Sequence, residues 1–230
     1  MPDDRDPGDG RRLRWAEHRT QRRAAFVRAG IAAVDEHGPG ASAEQVAAAA
    51  SVSRTVLYRY FRDKDDLRQA IADALVEQVI ASVLPHLSLD AESTPRDVIT
   101  STIGAIIALF ADHPNYYLFL RDQRNEQALG AVETTLADRV AVLLQALMVF
   151  FGLDGEEAQP GAHGLVGFVE SSCAWWLARR DQPGALSRER FTNTVCQAIW
   201  HMLEGVARAN GVAIGYDDPL PFAAATKEMS

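Results

Sequence analysis

The side chains best suited to chemistry lie in one short stretch, Ser51 to Leu67, which reads SVSRTVLYRYFRDKDDL. Within it, Arg54, Thr55 and Tyr58 fall on one side of a predicted short helix. An arginine side chain can donate two hydrogen bonds to O6 and N7 of guanine, and a threonine methyl group can contact the methyl group of thymine. A helix that carries such residues near its N-terminus fits the major groove of DNA. The stretch therefore predicts contact with DNA bases.

Other polar residues around this helix suit the phosphate backbone, which proteins contact through hydroxyl, amide and basic groups. The complete set of expected DNA contacts is Ser42, Ser53, Arg54, Thr55, Tyr58, Arg59, Tyr60 and Lys64. Three of these have ordinary alternatives. Tyr60 could belong partly to the core, Arg59 could be solvated, and Lys64 could pair with a nearby carboxylate.

The charge is distributed unevenly along the chain. The protein has 230 residues and a net charge of −8. Residues 1–64 contain 12 basic and 9 acidic residues, whereas residues 65–230 contain 11 basic and 22 acidic residues. A basic N-terminal part on an acidic body favours DNA binding by that part alone, because phosphate binding depends on local charge.

Short helices are predicted on either side of a tight turn. Apolar residues recur at helical spacing from about Ala16 to His37, and Gly38 and Pro39 end that helix. Ser42 followed by Gln45 forms the pattern of a capping box that opens a second helix. Ser53 can cap a third helix, whose inner face would be Val56, Leu57 and Phe61, and Asp63 can cap a fourth.

The second and third helices have the pattern of a helix-turn-helix. Ala47 is a small residue where the helices would cross, and Leu57 is a buried aliphatic residue in the third helix. Ser51 stands where the turn requires unusual backbone angles, which glycine adopts most easily. We therefore expect Ser51 to adopt a positive φ at some energetic cost.

Residues 22–75 resemble the DNA-binding domain of TetR-family transcriptional regulators. The resemblance rests on Ala50-Ser51-Val52-Ser53, against a family pattern near AGVS, and on Leu57 to Leu67, against LYxYFxxKxxL. The chain departs from the family at Ser51, which replaces glycine, and at Thr55 and Val56, where many members have Gly-Thr. The latter departure bears on the operator sequence that the protein prefers.

The rest of the chain is predicted to be helical as well. We expect an all-α protein of about nine helices, with a disordered arm at 1–14, a helix-turn-helix domain at 15–62, a helical ligand-binding and dimerisation domain at 63–212 and a tail at 213–230. The sequence shows neither strand-like alternation nor a glycine-rich phosphate loop.

The resemblance implies a homodimer that pairs through the last two long helices, near 162–181 and 187–210, and that binds a palindromic DNA operator. It also implies a repressor released by a small hydrophobic effector. The expected effector-binding residues are mostly apolar; they are Ile103, Ile107, Phe110, Tyr117, Leu120, Leu144, Gln145, Met148, Phe168, Glu170 and Trp176. Gln145 and Glu170 are polar residues within apolar runs, and we expect them to orient the effector.

Other classes of function have less support. We expect no catalytic residue, no metal site and no cofactor, because the six histidines and the two cysteines lack ligand or catalytic spacing. The unpaired cysteine pattern and the absence of a signal-like apolar run lead us to expect a cytoplasmic protein that does not contact membranes. A transcriptional activator and a ligand-independent architectural DNA-binding protein remain alternatives to a repressor.

Overall fold

The computed structural model describes residues 7–87 and 92–220, and this part of the chain is all-helical, as predicted. Single 3-10 turns occupy Leu84–Leu87 and Gln123–Asn125. The α-helices are α1 (Pro7–His37), α2 (Ala43–Ala49), α3 (Arg54–Leu57), α4 (Lys64–Val83), α5 (Pro95–Asp112), α6 (Pro114–Leu120), α7 (Glu126–Phe150), α8 (Ala158–Leu177) and α9 (Arg188–Ala209).

Short-range polar contacts start several of these helices. The backbone N–H of Asp97 donates to Thr94 Oγ1 at 3.2 Å, and the Asp97 carboxylate accepts from the N–H of Thr94, which makes a capping box at the start of α5. Pro95 follows in the first turn, where its missing N–H leaves no bond unmade. Ser187 caps α9 by accepting from the N–H of Arg190.

Helix α1 begins earlier than the sequence predicts. Residues 7–14 were expected to belong to a disordered arm, but α1 begins at Pro7. Proline is favourable in the first turn of a helix, and Arg11, Arg12, Leu13 and Arg14 have good helix propensity, although Gly8 and Gly10 do not. Residues 1–6 of the expected arm, like residues 221–230 of the expected tail, lie outside the described residues.

The chain forms two compact units, and the first is discontinuous in sequence. It comprises residues 7–75 and Asn115–Glu126, whereas the second comprises the described parts of Val76–Pro114 and of 127–220. Helix α4 therefore contributes its first half to one unit and its second half to the other. The domain boundary expected from the sequence, between residues 62 and 63, lies within the first unit.

The first unit packs α1, α2, the first half of α4 and α6 around an apolar core. Its fully buried members include Phe26, Val34, Val46, Leu57, Phe61, Leu75, Phe119 and Leu120. Gly30 in α1 allows close approach to α4, because a Cβ atom at this position would lie 2.4 Å from Cδ1 of Ile71. A larger residue at position 30 would overpack this contact.

A buried arginine also holds the first unit together. Arg68 in α4 is only 8% exposed. Its Nε donates to Asn125 Oδ1 at 3.0 Å and its Nη1 donates to the carbonyl of Pro39 at 2.9 Å. Its Nη2 lies 3.3 Å from Asp122 Oδ2, an ion pair whose geometry does not make a hydrogen bond. The guanidinium lies 4.4 Å from the ring centroid of Phe119.

These contacts join three segments that are far apart in sequence: α4, the turn after α1 and the segment 119–125. Burial and the charge of Arg124 lower the pKa of Arg68, while Asp122 and Asp65 oppose that shift. Hydrogen bonds from Arg124, together with the charge of Arg68, hold the pKa of Asp122 well below its usual range. We call Arg68, Phe119, Asp122, Arg124 and Asn125 the Arg68 cluster.

The core of the second unit lies among α5, α8 and α9. The ring of Trp176 stacks on that of Phe191 with 5.0 Å between centroids, and its Nε1 donates to the carbonyl of Leu186 at 2.9 Å. The buried cluster consists of Ile99, Ile103, Ile107, Val169, Cys173, Trp176, Phe191, Val195, Cys196, Ile199 and Trp200. Burial raises the pKa of Cys173 to about 12, so this thiol remains protonated near neutral pH.

The segment after α9 is irregular but folds back on the second unit. Arg96 forms a bidentate ion pair with Asp217, with donor–acceptor distances of 2.5 and 3.0 Å. The ring of Tyr216 stacks on Trp200 at 4.8 Å, and the N–H of Leu220 donates to the carbonyl of Ser93. These contacts fix residues 216–220 against α5 and α9.

The segment Lys64–Leu87 is long and apolar enough to cross a membrane by length and composition alone. Its apolar residues Leu67, Ile71, Leu75, Val79 and Val83 are, however, buried in the protein. This pattern is that of a core helix in a globular domain.

Candidate nucleic-acid interface

Helix α2 begins with the predicted capping box. The N–H of Gln45 donates to Ser42 Oγ at 3.2 Å, and the N–H of Ser42 donates to Gln45 Oε1 at 2.7 Å. Val46 and Ala47 are buried, so one face of this short helix packs inside the first unit. The burial of Ala47 agrees with its expected place at the helix crossing.

The turn after α2 has the backbone geometry that the sequence predicts. Ser51 has a φ of 54°, and it is the one residue other than glycine with a positive φ among the described residues. Its N–H donates to the carbonyl of Ala48, and the N–H of Val52 donates to that of Ala47, both at 2.9 Å. Serine is strained in this region of φ, because its Cβ approaches the carbonyl oxygen.

Helix α3 is a single turn capped by Ser53, whose Oγ accepts from the N–H of Val56 at 3.4 Å. After Leu57 the chain tightens, since the N–H groups of Arg59 and Tyr60 donate to carbonyls three residues earlier. Leu57 and Phe61 are buried and Val56 is half-buried, which confirms the predicted inner face.

The opposite side of α3 is accessible. Arg54, Thr55 and Arg59 are exposed, as is Ser53, and Ser42 is half-buried. The turn and the short helix thus place Arg54 and Thr55 in adjacent exposed positions at the N-terminal end of α3, where a helix in the major groove contacts base edges.

Arg54 has two neighbours on this surface. Its Nη1 donates to Glu44 Oε1 of α2 at 2.5 Å, and its guanidinium lies 5.4 Å from the ring centroid of Tyr58. Both members of the ion pair are well exposed, at 59% for Arg54 and 60% for Glu44. A hydrogen bond with Tyr58 and the charge of Glu44 raise the pKa of Arg54.

Glu44 is the functional candidate that the sequence did not suggest. It lies ten positions before Arg54, so only the turn at Ser51 brings the two side chains together. Its position in the first turn of α2, beside a predicted DNA-contacting helix, is the one sequence signal that could have indicated it.

Tyr60 packs partly inside the protein. Its ring meets that of Phe26 edge to face at 5.0 Å, and the residue is half-buried. The ring of Tyr60 therefore contributes to the core, which was the alternative to a DNA contact. Tyr58 is also half-buried.

Lys64 is exposed at the first position of α4. The carboxylate of Asp63 caps this helix by accepting from the N–H of Asp66 at 2.8 Å. Asp66 in turn accepts from the N–H of Arg62 and from Arg23 Nη2, and these interactions lower its pKa. The start of α4, which carries Lys64, is thereby fixed to α1.

The expected effector-binding residues do not form one cluster. Ile103, Ile107, Phe168 and Trp176 pack together in the core of the second unit, where Phe110 is also buried. Tyr117 and Leu120 are buried in the first unit, and the Tyr117 hydroxyl accepts from Arg121 at 2.8 Å.

The remaining effector candidates are more accessible. On α7, Leu144 and Met148 are half-buried, whereas Gln145 is exposed. On α8, Glu170 is half-buried. Partial burial, assisted by the charge of Glu170, raises the pKa of Glu133 on α7.

No group of three or more histidine, cysteine, aspartate or glutamate residues with the geometry of a metal site occurs in the described residues.

The motif consists of a capped helix, a tight turn at Ser51 and a second helix whose N-terminal side is exposed and polar. These features define a helix-turn-helix DNA-binding protein. Residues 26–71 match the family described as "Bacterial regulatory proteins, tetR family". The chain therefore contains the DNA-binding domain of TetR-family regulators, and it is similar to transcriptional regulators rather than to enzymes.

Similar proteins agree with this assignment. The chain is 28% identical over 208 residues to an uncharacterized HTH-type transcriptional regulator of Mycobacterium tuberculosis, and the match covers 88% of this chain and 86% of that protein. Among solved structures, a TetR-family transcriptional regulator from Streptomyces coelicolor has a TM-score of 0.64 at 16% identity, covering 81% of this chain and 84% of that one. The fatty acid degradation regulator FadR from Bacillus halodurans has a TM-score of 0.56 at 15% identity, covering 76% and 96%. These structural matches concern the fold.

Proposed function

We propose that this protein is a cytoplasmic repressor that binds a palindromic operator as a homodimer and is released by a hydrophobic small molecule. The observation that carries the proposal is the exposed N-terminal end of α3, where Arg54 and Thr55 are adjacent and accessible. Because the inner face of this helix is committed to the core through Leu57, the opposite side is free to enter a major groove.

Arg54 and Thr55 have the chemistry of base recognition. The guanidinium of Arg54 suits the O6 and N7 atoms of guanine, and the methyl group of Thr55 suits the methyl group of thymine. We assign Ser42, Ser53, Tyr58, Arg59, Tyr60 and Lys64 to the phosphate backbone, where hydroxyl and basic groups fix the orientation of the protein. The half-buried ring of Tyr60 leaves only its hydroxyl for this role.

Exposed apolar residues on the last two helices support the dimer. Trp175 on α8 and Met202 and Val206 on α9 are large and exposed, although each helix already buries another face in the core. Exposed apolar residues on adjoining helices are typical of protein–protein interfaces. A dimer with two-fold symmetry presents two helix-turn-helix units to two operator half-sites.

The interior of the second unit supports a hydrophobic effector. Ile103, Ile107, Phe168 and Trp176 provide an apolar environment, and Glu170 is a half-buried polar residue on the same helix as Trp176. Apolar surroundings with a few polar groups are typical of small-molecule sites. Leu144 and Met148 on α7 and the buried Phe110 complete the apolar candidates of this unit, whereas Tyr117 and Leu120 are buried in the first unit. The polar candidate Gln145 is exposed.

The test is selection of genomic DNA fragments by the full-length protein, followed by gel-shift titration of the enriched sequence. We expect one palindromic sequence to be enriched, and Arg54→Ala to reduce the discrimination at one base pair of each half-site by about tenfold or more. Equal binding of enriched and scrambled duplexes by the wild-type protein would contradict the proposal.

Two further measurements address assembly and release. We expect sedimentation to show a dimer in the wild-type protein and a shift towards monomer in a double variant with Trp175→Glu and Val206→Glu.

A hydrophobic compound that raises the melting temperature of the protein should also release the protein from the operator. If the regulated gene is transcribed less when the protein is deleted, the protein is an activator instead.

A further inference from the structure

The base-contacting arginine of the proposed function is held by a carboxylate on the same surface. Arg54 Nη1 donates to Glu44 Oε1, and the ring of Tyr58 lies 5.4 Å from the guanidinium carbon on another side. Glu44 belongs to α2, and Arg54 and Tyr58 belong to the following helix and its end. The guanidinium is therefore constrained by residues from both helices of the motif.

We propose that Glu44 is a positioning residue that sets the specificity of the protein by orienting Arg54 towards guanine. The inference rests on the proposed function, because it requires that Arg54 contacts a base. It assigns to Glu44 two effects, one on the geometry of Arg54 and one on the charge of the DNA-binding surface.

The first effect follows from the donor count of arginine. A guanidinium group has five N–H donors in a fixed plane, so one bond to Glu44 leaves enough donors for the two bonds that guanine accepts. An arginine that is already oriented loses less side-chain freedom on binding than one that is free in solvent. Glu44 therefore favours the bidentate contact with guanine over looser contacts with other bases or with phosphates.

The second effect follows from the charge of Glu44. The carboxylate is exposed on the surface that faces DNA in the proposed function, and it is repelled by every phosphate backbone regardless of sequence. This repulsion weakens binding to all DNA. Because the repulsion acts equally on all sequences, it lowers affinity without changing specificity, and only the orienting effect increases the difference between the operator and other sequences.

The experiment measures dissociation constants of Glu44→Gln for three duplexes at one salt concentration. These are the selected operator, the operator with the guanine sensitive to Arg54→Ala replaced in each half-site, and a scrambled sequence. For each protein, the dissociation constant for the guanine-replaced operator is divided by that for the operator. We expect this ratio to be about fivefold to tenfold lower in Glu44→Gln than in wild type. We expect the scrambled duplex to bind about twofold to fivefold more tightly.

Two controls separate orientation from charge. Glu156→Gln makes the same change of charge at an exposed position in the second unit, and it should leave the ratio unchanged. Glu44→Asp keeps the carboxylate and should restore part of the ratio. Circular dichroism checks that each variant is folded. Glu44→Ala is a second variant that removes the interaction between Glu44 and Arg54.

A double-mutant cycle tests the route through Arg54. In an Arg54→Ala background, Glu44→Gln should no longer change the ratio, because the group that Glu44 orients is absent. A further fall of the ratio in that background would overturn the inference, as would equal tightening of all three duplexes by Glu44→Gln alone. If the wild-type protein prefers no sequence, the proposed function fails and this inference fails with it. A preference that persists unchanged in Glu44→Gln overturns only this inference.

Discussion

Two arginines of the first unit, Arg54 and Arg68, differ in burial, and this difference separates the proposed binding role of Arg54 from the structural role of Arg68. Arg54 is 59% exposed and pairs with Glu44 at the surface of the helix-turn-helix. The side chain of Arg68 is 9% exposed and contacts Asp122, Asn125, Phe119 and the carbonyl of Pro39. The same type of side chain is available to DNA in one region and unavailable in the other.

The two regions also differ in what they contribute to stability. An exposed ion pair contributes little, because solvent screens both charges. Removal of one member of a buried ion pair destabilises the fold strongly, because the other member stays buried without a partner. Variants of the Arg68 cluster should therefore change the free energy of unfolding, whereas variants of the proposed DNA-binding surface should change the affinity for DNA.

The largest expected effect is that of Arg68→Ala. This change removes the ion pair with Asp122, two hydrogen bonds and the contact with the Phe119 ring. We expect a loss of about 3 kcal/mol in the free energy of unfolding, measured by urea titration. Arg62→Ala, at an exposed position, should change this free energy by less than about 0.5 kcal/mol. Equal effects of the two variants would remove the distinction between the regions.

The second effect is the pH dependence that Asp122 gives to stability. Its folded-state pKa is depressed, first by the hydrogen bond from Arg124, so Asp122 binds fewer protons in the folded than in the unfolded protein. The stabilisation is present above the unfolded pKa of about 4 and is lost as pH falls through the folded pKa. Asp122→Asn should flatten the fall of the free energy of unfolding below pH 4 by at most about 1.4 kcal/mol per pH unit, as measured by urea titration at each pH. Asp181→Asn, at an exposed position, should leave the fall unchanged.

The third effect concerns the DNA-facing region and a phosphate contact. Lys64→Ala should weaken binding to the operator and to scrambled DNA by the same factor. It should also lower the slope of log K against log salt concentration by about one, since one fewer phosphate is neutralised. Anisotropy titrations at four salt concentrations measure this slope. An altered preference among operator variants would show that Lys64 contacts a base.

The smallest expected effect is that of Ser51→Gly. A serine at a φ of 54° is strained, and glycine removes this strain while adding freedom to the unfolded chain. We expect a gain of roughly 0.5 kcal/mol in the free energy of unfolding. Discrimination between duplexes should stay unchanged, whereas a loss of discrimination would show that the strained turn sets the angle of α3.

Features fixed by neighbouring residues could be predicted from the sequence. The caps at Ser42, Ser53 and Asp63 each depend on bonds that span three residues, and the positive φ of Ser51 follows from its place in the turn. The buried side of α3 followed from the spacing of Leu57 and Phe61.

Features that depend on residues far apart in sequence could not be predicted. The bond between Arg68 and Asn125 spans 57 positions, and that between Arg96 and Asp217 spans 121. No local pattern in α4 indicates that Arg68 is buried rather than exposed. Tyr117 and Leu120 were expected near an effector, yet both are buried in the first unit. Whether they contact an effector remains a prediction.

The discontinuity of the first unit has a consequence for synthesis of the chain. Arg68 leaves the ribosome well before Asp122 and Asn125, so the helix-turn-helix unit cannot complete its buried polar contacts until α5 and α6 have been made. A fragment that stops at residue 75 carries every proposed DNA contact but lacks Phe119, Asp122 and Asn125, which surround Arg68 in the full chain. The last step in maturation of the DNA-binding unit therefore belongs to a segment that never touches DNA in the proposed function.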